Sequence, residues 1–151
     1  MPSDRQELTE PTEIELQAIP SPSEGGLGVA EYERHVPFVT RRVFFFHDVP
    51  KRTTRGGHAH RKQQHFIICI SGHVTVMTET ASGKSEHIMD SPSTGLYLPP
   101  MTWVDIRFEE EDCAVLVLTC SAYDEADYIR DYQKFLEHLQ SSIKNLFYVN
   151  V

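Results

Sequence analysis

The chain has 151 residues, of which 40% are apolar and 24% charged, and its formal net charge is −8. This length suits one domain around one main core. The acidic balance argues against a surface built for nucleic acid or an anionic membrane, although a few arginines can still gather round a small anionic ligand. No apolar run approaches the ~18 residues of a membrane-spanning helix. The N-terminal stretch lacks the charged-then-apolar pattern of a secretory signal, so a cytoplasmic protein is expected, with no nucleic-acid or membrane partner. Cys69, Cys113 and Cys120 are too few and too scattered for a disulfide framework. Cys69 and Cys113 lie in apolar runs and read as small core residues. There is no CxxC, which argues against a thiolate zinc site.

In chain order, residues 1–23 are polar and carry Pro2, Pro11, Pro20 and Pro22. They read as a loose arm with one short strand near 14–19. From residue 36 the texture changes to short runs rich in Val, Ile, Phe, Tyr and Thr, separated by turn residues. Strands are expected over 38–47, 65–70, 73–79, 86–89, 95–98, 103–108 and 114–119. Ser71-Gly72 and the run Ala81-Ser-Gly-Lys84 mark hairpin turns. Many short strands at regular spacing predict a mainly β domain, a jelly roll or closed barrel. Beyond them Ile129, Tyr132, Leu136, Leu139 and Ile143 recur at steps of three and four, which predicts an amphipathic helix. Asp124, Glu125 and Asp127 are expected at its start, where acidic groups suit the helix dipole. The final residues, 146–151, are apolar and are expected to form an edge strand or to dock on a second subunit.

The chemistry concentrates in Arg55-Gly-Gly-His-Ala-His60. Alternation in a strand puts His58 and His60 on one face and Ala59 on the other. Gly56 and Gly57 let the backbone enter that strand at unusual angles. An isolated HxH pair is more often structural than functional, but here His65 follows His60 by five residues and Gly72 follows His65 by seven. That spacing resembles the first motif of the cupin superfamily, with His65 in the place of its glutamate. The expected architecture is therefore a cupin, a double-stranded β-helix or jelly-roll barrel, with a C-terminal α-helix. Two chemistries use such a pair. Neutral imidazoles can hold Fe, Mn, Ni or Zn, which would recruit His58, His60 and His65 in a metal-dependent oxygenase or hydrolase. Alternatively, histidines can take and give protons near neutral pH without a metal. The second cupin motif normally adds a histidine after a Pro-rich turn, but Leu98-Pro-Pro-Met-Thr-Trp-Val104 has none.

Several further segments, taken together, resemble the WxcM-like (FdtA/QdtA) nucleotide-sugar 3,4-ketoisomerases. They are Val36-Pro-Phe38 with Arg41-Arg-Val43, Arg55 to His60, Phe66 to Gly72, Asp90-Ser-Pro92 with Gly95-Leu-Tyr-Leu98, Trp103, and Tyr123 to Tyr132. They run in the family's order over about residues 24–136, which places a ketoisomerase-like cupin domain at 24–151 after the arm at 1–23. The resemblance implies conversion of a dTDP-4-keto-6-deoxyhexose to its 3-keto isomer through an enediol(ate). It also implies a homodimer, no cofactor, no required metal, and a role in making 3-amino-3,6-dideoxy sugars. By resemblance His58 is the principal base and His60 its acid–base partner. Arg42, Arg55 and Arg130 match family arginines and are candidates for the pyrophosphate, which guanidinium groups bind well. Tyr97 and Trp103, either side of Pro99-Pro100, are candidates to line the sugar or thymine site, and His65 also counts among the substrate-binding candidates. A non-catalytic sugar-nucleotide binder is the remaining alternative, because three positions depart from the family. Phe44-Phe-Phe46 stands where family members commonly carry tyrosine. His65 replaces a common glutamine. Glu24-Gly-Gly-Leu27 replaces Arg-Gly-x-Leu.

Overall fold

The structure is a computed structural model that describes residues 7–149. Twelve strands precede one long helix. They are β1 (Thr12–Glu15), β2 (Gln17–Ile19), β3 (Leu27–Val29), β4 (Arg42–Phe46), β5 (Thr54–His60), β6 (His65–Ser71), β7 (Val74–Thr80), β8 (Gly83–Met89), β9 (Thr94–Leu98), β10 (Trp103–Phe108), β11 (Ala114–Thr119) and β12 (Tyr128–Ile129), followed by α1 (Tyr132–Val149). A single 3₁₀ turn, Glu125–Asp127, leads into β12. The strands form two five-stranded sheets, ordered β1-β9-β6-β11-β4 and β12-β5-β10-β7-β8, with β2 and β3 as a separate hairpin. The cupin expectation is met as a jelly-roll sandwich: the two sheets face one another without closing into a continuous hydrogen-bonded barrel.

Strict alternation builds the core. In β10, Val104, Ile106 and Phe108 are buried, and in β11 Val115 and Val117 are, while the residues between them are half-exposed. These side chains meet Ile67, Cys69, Val76, Leu96 and Leu98 between the sheets. Burying each large apolar side chain contributes about 1.5–3 kcal/mol. The continuous apolar run of β6 has a different cause. Its inward residues join this core, while Phe66 and Ile68 on the other face pack under Leu16, Val36, Phe38 and Tyr97. A strand covered on both faces reads as uninterrupted apolar sequence.

That second layer corrects the expectation of a loose arm. The single strand expected near 14–19 is two strands: β1 pairs antiparallel with β9, and β2 pairs with β3. Leu16 between them is buried on the outer face of the first sheet. Apolar alternation in so short a segment is too weak a signal to reveal what it covers.

A third cluster forms where Phe135 of α1, with Tyr132, Leu136 and Leu139 beside it, packs on Ala59, Ile129 and Trp103 of the second sheet. The helix face was legible, but its start was not. Ile129 belongs to β12, and Asp131 caps the helix by accepting from the Lys134 N–H at 3.0 Å. Asp124, Glu125 and Asp127 lie before the helix, so they do not serve its dipole. Residues 146–149 continue α1, so no edge strand forms there, and 150–151 lie outside the described residues. No helix among the described residues is long and apolar enough to cross a membrane.

Candidate active site

The site begins with a bulge. In the β5–β10 pairing His58 faces Val104 and Gly56 faces Asp105, so Gly57 is the extra residue. Both glycines have positive φ, +108° at Gly56 and +73° at Gly57. A Cβ at Gly56 would lie 2.6 Å from the Val104 carbonyl oxygen, so only glycine lets the two backbones approach this closely. Past the bulge, Ala59 is buried beneath α1 while His58 and His60 share the opposite face.

The imidazoles of His58 and His60 meet edge to face, with ring centroids 5.1 Å apart. His65, from β6 of the opposite sheet, brings its ring within 4.4 Å of His60. Tyr128 of β12 lies 4.2 Å from the His60 ring and 5.1 Å from that of His58. Buried nitrogens of all three histidines lack a protein partner: Nδ1 of His58 and Nε2 of His60 and His65. Unsatisfied buried polar atoms are uncommon and mark candidate sites of function. The His60 and His65 rings are tilted at 57° to one another, and no group of three or more His, Cys, Asp or Glu side chains among the described residues is arranged to hold a metal ion.

The charged candidates divide. Arg42 comes close to the histidines: its guanidinium lies over Phe44 and Tyr123, 5.2 and 5.5 Å from the ring centroids, and donates to Gln63 Oε1 at 3.3 Å. Arg130 stacks 4.2 Å over Tyr128 and donates to both oxygens of Glu125, at 2.7 and 3.0 Å. Tyr123 also donates to Glu125, and together the two donors hold that carboxyl down at about 2. Arg55 is exposed over Phe46, at the rim of a shallow pocket with Gly56, Gly57 and Asp105.

Tyr97 and Trp103 make no ring contact with the histidines. Leu98 and Val104 point into the core, so their neighbours must point out. The Tyr97 hydroxyl donates to Gln64 at 2.8 Å in the outer layer, and Trp103 stacks on Tyr132 and Phe135 under the helix. His65, 5% exposed like His60, meets the pair from the opposite sheet. Asp127 and Tyr128 were missed. Both read as part of a helix entrance, and nothing local marks their approach to a strand some 67 residues earlier.

Burial pushes all three histidines toward the neutral form. His60 is pushed down to about 4 by burial and by His58, against the opposing pull of Asp127. His65 is held well below the usual 6.5, first by burial, and His58 is lowered for the same reason. A histidine whose folded pKa is depressed contributes stability above its unfolded value and loses it as the pH falls. The melting temperature should therefore fall steadily from about pH 6.5 towards pH 4. Replacing His65 with Gln should flatten part of that slope, as thermal melts across the range would show. A wild-type melting temperature that stays level would contradict the neutral, buried assignment.

A jelly-roll sandwich with an edge-to-face histidine pair on one inner face has the architecture of a cupin. A family model, FdtA (WxcM-like, C-terminal), matches residues 9–140. TDP-4-oxo-6-deoxy-alpha-D-glucose-3,4-oxoisomerase of Aneurinibacillus thermoaerophilus is 34% identical over 117 residues, covering 78% of this chain and 84% of its own. QdtA, a sugar 3,4-ketoisomerase from Thermoanaerobacterium thermosaccharolyticum solved with TDP, superposes with a TM-score of 0.83 at 31% identity, covering 90% of this chain and 98% of its own. WlaRA, a TDP-fucose-3,4-ketoisomerase from Campylobacter jejuni, does so at 0.77 and 30%, covering 84% and 93%. The chain belongs to the FdtA family of WxcM-like proteins.

Proposed function

We propose that this chain is a sugar-nucleotide 3,4-ketoisomerase, an intramolecular oxidoreductase that moves the ketone of a dTDP-4-keto-6-deoxyhexose from C4 to C3. The observation that carries the reading is the adjacent neutral pair His58 and His60, with unpartnered ring nitrogens, in a member of this family. The relatives named above act on TDP sugars of this kind by their own descriptions.

The ketone at C4 acidifies the C3 proton. A neutral imidazole takes it and leaves an enediolate. A proton is then delivered to carbon C4, the C3 hydroxyl loses its proton as C3 becomes the ketone, and the C4 oxygen ends as a hydroxyl. Atoms and charge balance without an external oxidant. His58 is half-exposed and is assigned the C3 proton, with His60 as its acid–base partner. Arg42 lies over Phe44, whose ring meets His65, and Arg55 lies over Phe46 with no ion pair among the described residues, so both suit the pyrophosphate. Arg130 would have to release Glu125 to do the same. The product suits a 3-aminotransferase, in the making of 3-amino-3,6-dideoxy sugars. A nucleotide-sugar substrate places the work in the cytoplasm. The exposed apolar residues Val43 and Phe45 on edge strand β4 support a homodimer.

Incubation with dTDP-4-keto-6-deoxyglucose in deuterated water should give deuterium at the exchanged carbons and a 3-keto product by NMR. Folded protein that binds dTDP tightly yet gives neither would make the chain a binder and end this reading. Exhaustive chelation should leave the rate unchanged; loss of activity restored by a divalent metal would instead favour metal chemistry at His58, His60 and His65.

A further inference from the structure

We propose that Asp127 is a positioning residue that clamps the His60 ring and fixes its tautomer, leaving Nε2 as the atom through which His60 takes or gives its proton. The inference rests on the isomerase reading for its chemistry, but its geometry stands apart from it.

Asp127 is 6% exposed, at the end of the 3₁₀ turn that leads into β12. Its carboxylate is tied to the segment just after β5 by two backbone donors, Lys62 N–H to Oδ1 at 2.8 Å and Gln63 N–H to Oδ2 at 3.1 Å. Its own carbonyl accepts from the Arg61 N–H at 2.9 Å, and the next residue, Tyr128, pairs with His60 across the β12–β5 ladder. Asp127 is therefore held in place independently of the imidazole it meets. Oδ2 lies 3.3 Å from His60 Nδ1. A carboxylate can only accept, so Nδ1 must carry the hydrogen, and Nε2 is left with its lone pair. That Nε2 is the buried, unpartnered nitrogen. A ring free to flip would satisfy Nε2 at the expense of Nδ1; the clamp prevents this. The arrangement follows the general logic in which a buried acid orients a histidine through the ring nitrogen that does no chemistry. The other groups facing His60 are His58, His65, Tyr128 and Arg42, and none of them supplies an acceptor for Nδ1.

Asp127→Asn tests the clamp. The amide keeps one oxygen; with it accepting from the Lys62 N–H at the Oδ1 position, the NH₂ takes the Oδ2 position, where it faces the Gln63 N–H and His60 Nδ1. ¹⁵N NMR of histidine-labelled wild type at neutral pH should show His60 protonated on Nδ1 and bare at Nε2, and the variant should show the opposite tautomer. With dTDP-4-keto-6-deoxyglucose, kcat should fall about 100-fold with KM nearly unchanged. The acid limb of the kcat profile should move about half a pH unit or more lower, because the negative charge that raises His60 is gone. A variant that melts like wild type and keeps its kcat overturns the proposal. Should the variant fail to fold, the wild-type spectrum decides: His60 protonated on Nε2 overturns the clamp. If the wild type shows the expected tautomer but turns over no TDP-keto sugar, the isomerase reading fails while the clamp stands.

Discussion

Replacing either His58 or His60 with Gln is expected to lower 3-keto product formation by about 10² to 10⁴, the usual worth of a positioned acid or base. Glutamine keeps the approximate bulk, and at position 60 its amide can still donate to Asp127, so neither variant should leave that buried carboxylate without a partner. Of the arginines assigned to the pyrophosphate, Arg42 lies on β4 and Arg55 at the far end of β5, three residues before His58, so dTDP should bind both variants with nearly wild-type affinity. The two variants should differ in one respect. Exchange of the C3 hydrogen needs only the base, whereas product needs delivery to C4 as well. With His58 as the base, His60→Gln should retain measurable C3 exchange while product collapses, and His58→Gln should lose both. The reverse pattern would exchange the two roles. Because the pair acts as a unit, the double variant should be little worse than the poorer single one. Product formation within tenfold of wild type in either variant would remove that histidine from the chemistry.

Gly56→Ala should cost about 3 kcal/mol of stability, combining backbone strain with a forced repacking. For a chain of this length that lowers the melting temperature by about 10 °C. The residue sits at φ +108°, and its added Cβ would meet Val104 O at 2.6 Å and Asp105 Cα at 3.2 Å. These are backbone atoms of the paired strand, so no rotamer change relieves the contact. The bulge must open, and with it the placement of His58 two residues on. Activity should therefore fall further than the loss of folded protein explains. Gly25→Ala is the control. It too has positive φ, +85°, but nothing lies within 4 Å of its Cβ, so only about 1 kcal/mol should be lost. If Gly56→Ala melts no lower than Gly25→Ala, the close approach does not constrain the site.

Strand positions were readable wherever one face is buried and the other is not, as in β10 and β11, because alternation with period two is a local signal. The histidine pair was readable for the same reason. Tyr97 and Trp103 show the limit. Their position beside a Pro-rich turn suggested a site, but whether they face inward depends on which neighbour the core claims, and Leu98 and Val104 took that side. The metal question was open in the sequence because spacing along a chain does not say how rings meet. In space His58 and His60 meet edge to face and His65 comes to His60 from the other sheet at a tilt.

By itself the sequence determined a mainly β chain, His58 and His60 on one strand face, glycines that free the backbone before them, and a helix with one apolar stripe, all from periodicity and backbone freedom within a few residues; the cupin type came from the resemblance of its motifs to a known family. Only the tertiary structure decided that the N-terminal strands cover the first sheet, that Arg130 is held by Glu125, and that Asp127 clamps His60. Those are contacts between segments far apart in the chain, where the pairing of β12 with β5 brings together groups that no local pattern connects.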